Sequence, residues 1–563
     1  MTDDGSKLAD LVLTGADVYT VDAARRWAEA VAIRDGRIVA VGTDEEVRPL
    51  VGGRTEVREL PGRMILPGFQ DAHVHPPGGG LVRSRCDLHD AYSRDDYLGI
   101  IRRYAEAHPD AEWILGGGWS MDAFPGGTPR KEDADAVVPD RPMLLPNRDG
   151  HGAWANSRAL EMAGIDRTTP DPPDGRIERD ENGEPSGTLH EGAVTLVDRR
   201  VPAPTQEELE EGIRVAQAYL HSLGITAWQD AIVGTGDAMS NSFPAYVSLA
   251  KTGELTARVV GALWWERDRG EEQIKDMIEL RSQAETGRFR ATSVKIMQDG
   301  VLENFTGGVL EPYLDGNGSP TERRGLSFVD PDLLRGYVTQ LDREGFQVHF
   351  HAIGERAVRE ALDALEAARS TNGPNDLRHH IAHIQVIHPD DVGRFRELGV
   401  VANGQPLWAM MEGQMKNLTI PFLGPERSAW QYPFASLVRS GAMLAFGSDW
   451  SVSSPDPLWE MHVAVNRTSP KGYPYAEGER EEEPFLPEER IDLATAIAAF
   501  TMGSAYVNHL DGETGSIEVG KLADLAVVDR NLFEAPAEEI SEANVVLTLV
   551  DGRVVHEEPS ARS

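Results

Sequence analysis

Between residues 225 and 449 the sequence alternates short apolar runs with longer amphipathic ones, and this alternation restricts the fold more than any other feature. The apolar runs are "ITAWQD" (225–230), "ARVVGAL" (257–263), "TSVKIM" (292–297), "FQVHFH" (346–351), "HIAHIQ" (380–385), "VVANGQ" (400–405) and "MLAFGSD" (443–449). Their length and their content of β-branched and aromatic side chains are those of buried strands. Stretches such as "EELEEGIRVAQAYLHSLG" (207–224) and "ERAVREALDALEAARS" (355–370) carry a helical period between several of them. An eighth strand candidate, "AHVH" (72–75), lies upstream. Eight strands with helical crossovers predict an α/β protein built on a distorted (β/α)8 TIM barrel.

Both ends of the chain read differently. "DLVLTGADVYT", "AVAIRDGRIVAVG" and "TEVRELPGRMILPG" near the start, and "GSIEVGKLADLAVVD" and "VVLTLVDGRVVHE" near the end, are short β runs with Asp-Gly turns at 35–36 and 551–552. The two ends are expected to pair into one small β-sandwich, residues 1–65 with 511–563, around a barrel at 66–510. Some 150 residues separate the first barrel strand from the second, too many for a loop without structure. Residues 80–205 or thereabouts, rich in Gly, Pro, Trp and Asp, therefore read as an inserted subdomain over the barrel mouth. The acidic "EGEREEEP" (477–484) reads as a solvated loop.

Bulk properties narrow the partners. A formal net charge of −37 repels phosphate, which argues against nucleic acid and anionic membranes. The single cysteine, Cys86, excludes an intrachain disulfide framework, fits a reducing compartment and is taken as a packing residue. "MTDDGSKLAD" lacks the basic and apolar regions of a signal peptide, and no run reaches 18 apolar residues. A cytoplasmic location is expected.

Chemistry-bearing residues gather at the predicted strand ends. In "LPGFQDAHVHP", His73 and His75 are two apart on a strand and face the same side. His349 and His351 close "FQVHFH", His383 closes "HHIAH" and Asp449 closes "MLAFGSD". The C-terminal strand ends are where active sites of this barrel lie, and imidazole is the commonest metal ligand. Lys295 stands in the middle of an apolar strand although only eight of the 55 basic residues are lysine. A free ammonium there would repel a metal. A lysine of lowered pKa can instead react with carbon dioxide to give an anionic carbamate that bridges two cations. The plain alternative is an ion pair with Asp299 or with a substrate carboxylate.

The segments "ILPGFQDAHVHP", "GGGWSMDAFPGG", "DGHGAWANSRALEMAGI", "GEPSGTLHEGA", "VKIMQDGVLENFTGGVLEPYLD", "VHFHAIGERAV", "GSDWSVSSPDPL" and "TGSIEVGKLADLAVVD" resemble, in order, those of the amidohydrolase superfamily. The branch most similar contains N-substituted formamide deformylases. The resemblance implies metal ligands at His73, His75, Lys295 (carboxylated), His351, His383 and Asp449, with Asp449 also shuttling the proton. It implies one or two divalent metals, zinc by preference, and His349 beside the ligands rather than among them. It implies hydrolysis of a non-peptide, formamide-type C–N bond by a metal-activated water, on a small-molecule amide; family precedent leans towards a homodimer. Trp119, His151, Asn156 and Glu191 from the insertion, with Phe305 and Trp408 at the mouth, are the expected substrate contacts. Where relatives often carry Glu-His on the sixth strand, this chain has Ala382-His383. Hydrolysis of a cyclic amide, imine or carbamate at the same site is the alternative reaction. A non-catalytic scaffold is the alternative class.

Overall fold

A computed structural model describes residues 8–234, 241–473 and 483–559. The first residues and most of the acidic stretch at 477–484 lie outside the described residues. Eight strands form one all-parallel sheet in sequence order: β1 (Phe69–Val74), β2 (Ile225–Val233), β3 (Arg258–Trp264), β4 (Phe289–Met297), β5 (Gln347–Ala352), β6 (His380–His383), β7 (Val401–Gly404) and β8 (Leu444–Phe446). The sheet closes beyond β8 through backbone bonds from Asp449 N to His73 O and from His75 N to Trp450 O, both 2.7 Å. The expected distorted TIM barrel is therefore present, with its last seam sealed by the residues that follow β8. Strand ends differ by a few residues from the sequence reading. His75 falls just past β1, and Asp449 three residues past β8.

Helices wrap the barrel for local reasons. The helix Gln206–Ser222 starts at Thr205, which forms a capping box with Glu208, and buries Leu209, Ile213, Ala216 and Leu220 on one face. It lies close against the helix Pro76–Arg83. A Cβ on Gly80 would stand 1.9 Å from the Gly212 carbonyl oxygen, so only glycine permits that approach. The helix Glu355–Asn372 buries an alanine- and leucine-rich stripe against the barrel.

The chain ends build two sheets. Residues 37–42, 30–34, 11–14 and 56–59 form one, and 553–557, 545–550, 525–528, 64–67, 17–19 and 27–28 the other. Leu11, Leu13, Val31 and Ile33 of the first pack on Ile65, Leu525, Leu547 and Leu549 of the second, a sandwich made by both termini. Both Asp-Gly pairs sit at two-residue hairpin turns with positive φ (Asp35 52°, Gly36 75°; Asp551 50°, Gly552 67°). The two turns touch each other: a Cβ on Gly36 would meet the Asp551 carbonyl oxygen at 3.0 Å.

Arg258 of β3 joins barrel to sandwich by pairing with Asp524 and Asp551, and Arg288 pairs with Asp551 as well. Asp524 is buried, so removing Arg258 would strand its carboxylate away from water. Arg258→Met is expected to cost about 3–5 kcal/mol, the usual penalty for breaking one side of a buried pair. A urea unfolding midpoint within error of the parent would contradict this.

The long segment between β1 and β2 carries its own six-stranded sheet in the order 175–179, 185–191, 152–155, 143–146, 114–117, 86–87. It has two apolar cores, one around Tyr97, Trp119, Phe124 and Trp154, the other around Leu144, Leu160, Ile177 and Leu189. Cys86 is buried in the first, and burial pushes its thiol up to about 12. That is a packing cysteine.

Candidate metal centre

Strand register places the polar side chains in tiers. Lys295 is level with His349, and His349 with His380. His351, two residues on and on the same face, stands one tier higher, beside Met297 and Ala382. The closing bonds between β1 and the segment after β8 bring Asp449 against both β1 histidines. His75 Nε2 is 2.8 Å and His73 Nε2 3.4 Å from Asp449 Oδ1. Lys295 Nζ is 3.2 Å from His73 Nε2. The His383 ring centroid lies 4.6 Å from that of His73 and 4.4 Å from that of His351. All six residues expected as ligands thus converge at one end of the barrel.

Part of the molecule's backbone strain lies in the same place. His383 (φ 76°), Asp449 (φ 54°), Glu191 (φ 49°) and Phe305 (φ 66°) are non-glycine residues in the left-handed region. Such conformations cost about 1–2 kcal/mol each and persist where surrounding contacts over-determine them, commonly at functional sites.

The electrostatics suit a cation. Burial first, then Lys295 and neighbouring imidazoles, drive His73, His351 and His383 well below the usual imidazole value. They are neutral, which is the form that binds metal. Burial opposes ionisation of Asp449. The His75 imidazole, with His383 and Lys295 beyond it, outweighs burial and holds the carboxyl below its ordinary value. Burial also brings Lys295 down to about 7, against the pull of Asp449 and Asp230. One atom each from His73, His75 and Asp449 lie within 4.8 Å of one another. Asp449 Oδ1 is buried without a well-aligned hydrogen-bond donor. Imidazole nitrogens gathered around a buried carboxylate oxygen are a donor set that a divalent ion would satisfy, so the residues present fit the metal.

The expected substrate contacts divide. His151 Nδ1 is 3.0 Å from Glu191 Oε1, and its ring lies 5.3 Å from that of His351. Glu191 also accepts from Thr306 Oγ1 at 2.7 Å and Asn304 Nδ2 at 3.1 Å, which ties the insertion to the loop after β4. This pairing raises His151 to about 9 in spite of its burial. Trp408 stacks on His383, with rings 5.3 Å apart and 10° from parallel, and its indole N–H donates to Ser453 Oγ. Phe305 packs edge-on against Tyr313 and Phe422.

Trp119 and Asn156 are corrections. Trp119 is fully buried in the insertion core and donates its indole N–H to the Leu145 carbonyl. Asn156 caps the helix Ser157–Ala163 through Ala159 N, accepts from Met143 N and donates to the carbonyls of Val138 and Arg141. Every polar atom of either side chain is already used, so neither has one to offer a substrate. The proposed Lys295–Asp299 ion pair is also absent among the described residues. Asp299 turns away and accepts three backbone N–H groups, from Gly308, Ile353 and Gly354.

Sequence reasoning missed Asp230. It lies within β2, three residues before the strand's end, is fully buried, accepts from Tyr246 Oη at 2.8 Å, and feels the charges of His75 and Lys295. Its place at the end of "ITAWQD" was the available signal.

A closed parallel barrel that brings histidines, a lysine and an aspartate together at one end, three of them close enough to share an ion, has the arrangement of a candidate metal centre. The chain belongs to the amidohydrolase family, whose model matches residues 56–556. It is 31% identical over 98% of its length, and 92% of the relative's, to Protein LONG AFTER FAR-RED 3 of Arabidopsis thaliana. To N-substituted formamide deformylase of Arthrobacter pascens it is 28% identical over 98% of this chain and 99% of that one. The solved structure of an uncharacterized metal-dependent hydrolase from Pyrococcus furiosus superposes with a TM-score of 0.69 at 25% identity, covering 92% of this chain and 99% of that one. No helix among the described residues is long and apolar enough to cross a membrane.

Proposed function

We propose that the protein hydrolyses a non-peptide C–N bond of a small amide, formamide-type substrates first. The observation that carries this reading is the approach of His73, His75 and Asp449 to one point, with Lys295 Nζ beside them. The nitrogen and oxygen donors suit zinc. A divalent ion held by His73, His75, His351, His383, Asp449 and carboxylated Lys295 would polarise a carbonyl and lower the pKa of a water.

The chain's own residues supply the rest. Asp449 is ionised in a buried site and can take a proton from the attacking water, then pass it to the departing nitrogen. The C–N bond breaks, a C–O bond forms, and the products are a carboxylic acid and an amine. His151, aligned by Glu191, borders the site next to His351. Trp408, stacked on His383, offers aromatic surface beside the site, and Phe305 is the further aromatic expected at the mouth. Retention of every candidate ligand speaks for an enzyme over a non-catalytic scaffold.

Protein purified without added metal and assayed for amine release across formamides, N-acyl amino acids, lactams and carbamates tests the reading. Chelation is expected to abolish activity and zinc to restore it. Under one-tenth equivalent of bound metal, with no activation by zinc, would overturn it.

A further inference from the structure

Strand β7 is the puzzle left by this ligand set. Its end, "VVANGQ", contributes no ligand, yet Asn403 and Gln405 are both fully buried. Gln405 Oε1 lies 2.9 Å from the backbone N of His383 and 3.1 Å from His383 Nδ1. The backbone N–H can only donate, which identifies the amide oxygen. Nδ1 must then carry the proton, and Nε2 of His383 keeps its lone pair.

The far side of Gln405 is equally constrained. Its Nε2 donates to Asn403 Oδ1 at 3.3 Å, while Asn403 Nδ2 lies 3.0 Å from the Ala72 carbonyl and 3.1 Å from His380 Nδ1. His380 Nε2 meets Gln229 Oε1 at 2.9 Å. The His380 ring lies 4.0 Å from that of His349, whose Nε2 is 2.7 Å from His73 Nδ1. An unbroken arc of amides and imidazoles thus runs behind the barrel mouth from His383 to His73. Asp449 Oδ2 lies 3.8 Å from His383 Nδ1, beyond hydrogen-bond reach, so the partner within bonding distance of that nitrogen is Gln405 Oε1. Residue 382, level with Asn403 across the β6–β7 ladder, is alanine and offers no polar group.

We propose that Gln405, braced by Asn403, is the positioning residue of the metal centre: it locks His383 in the Nδ1–H tautomer and so reserves Nε2 for the ion. The inference rests on the metal-centre reading above. It goes beyond that reading by assigning the support of the sixth-strand ligand to a neutral amide on the seventh strand. Hydrogen-bonding partners behind ligating histidines commonly set metal affinity by about 10- to 100-fold.

The test measures cobalt(II) binding to the full-length chain by chelator competition and visible absorption, apart from any assay of turnover. The parent must bind cobalt stoichiometrically; if it does not, the metal-centre reading itself fails. Gln405→Met keeps the volume and removes the acceptor, and is expected to bind cobalt about 10- to 100-fold more weakly with an altered absorption band. Gln405→Glu keeps an acceptor oxygen and, as the neutral acid, can still donate to Asn403. It is expected to stay within about threefold of the parent, or about 0.65 kcal/mol. Asn403→Ser leaves Gln405 in place but loosens its brace. A loss of about 3- to 10-fold there reads the same arc should Gln405→Met not fold. Parental affinity and spectrum in Gln405→Met, or a Gln405→Glu protein as weak as Gln405→Met, would overturn the proposal.

Discussion

Lys295→Ala is expected to lower kcat/KM by on the order of 10⁴-fold, the scale of losing one member of a catalytic unit. Millimolar formate or acetate should recover part of the loss. The reasons are geometric and electrostatic together. Lys295 is 3% exposed, and its amine stands against His73 with the site's histidines around it. Burial brings it down to about 7, so a large fraction is neutral amine at neutral pH. A neutral amine adds to carbon dioxide, forming an N–C bond and releasing one proton, and the product is an anionic carbamate. Converting a would-be cation into an anion removes the repulsion a free ammonium would impose on a metal. A small carboxylate diffusing into the alanine cavity replaces the two oxygens, which is why rescue is predicted. If metal content and activity of the alanine variant both equal the parent's, Lys295 is not a ligand.

Asp449→Asn is expected to be as damaging, with kcat reduced by on the order of 10⁴-fold at saturating zinc, the upper range for a lost general acid–base. Asparagine matches aspartate in shape, so the backbone bond from residue 449 to His73 O should survive and the fold with it. What the amide cannot do is accept a proton or bring negative charge to His73 and His75. The two losses separate experimentally. Excess zinc restores occupancy but not proton transfer, so metal content should return without kcat. The deficit should also shrink for amides whose amine leaves without needing a proton. A defect fully cured by zinc would show Asp449 to be a ligand only.

The gross plan was legible because periodicity and turn chemistry are local. Seven apolar runs spaced for crossovers specified the barrel, and two Asp-Gly pairs marked hairpins that the structure contains. His73, His75, His351, His383, Asp449 and Lys295 could be singled out because metal chemistry uses few side-chain types and this fold exposes its strand ends. The failures share a cause. Trp119 and Asn156 lie in motifs that look functional, but whether an indole or an amide faces a cavity or fills a core depends on what packs against it. Here Trp119 meets Phe124 and Trp154, and Asn156 meets backbone carbonyls. Asp230 was passed over because one acid at the end of an apolar run says little until its neighbours are known.

The division between sequence and structure is clearest at the two histidine pairs. The sequence determined that 73 and 75, and likewise 349 and 351, share a face, since side chains alternate along a strand. It could not by alternation alone separate 349 from 351, where the family resemblance implied His351 as the ligand. Register across β4, β5 and β6 sets His349 one tier down beside His380 and against the back of His73. Nor could it place Asp449 beside His75, 374 positions earlier in the chain. That contact exists because the segment after β8 closes the barrel onto β1. Residue type and period are written along the chain, whereas hydrogen-bond partners and distances arise only when strands distant in sequence are brought edge to edge.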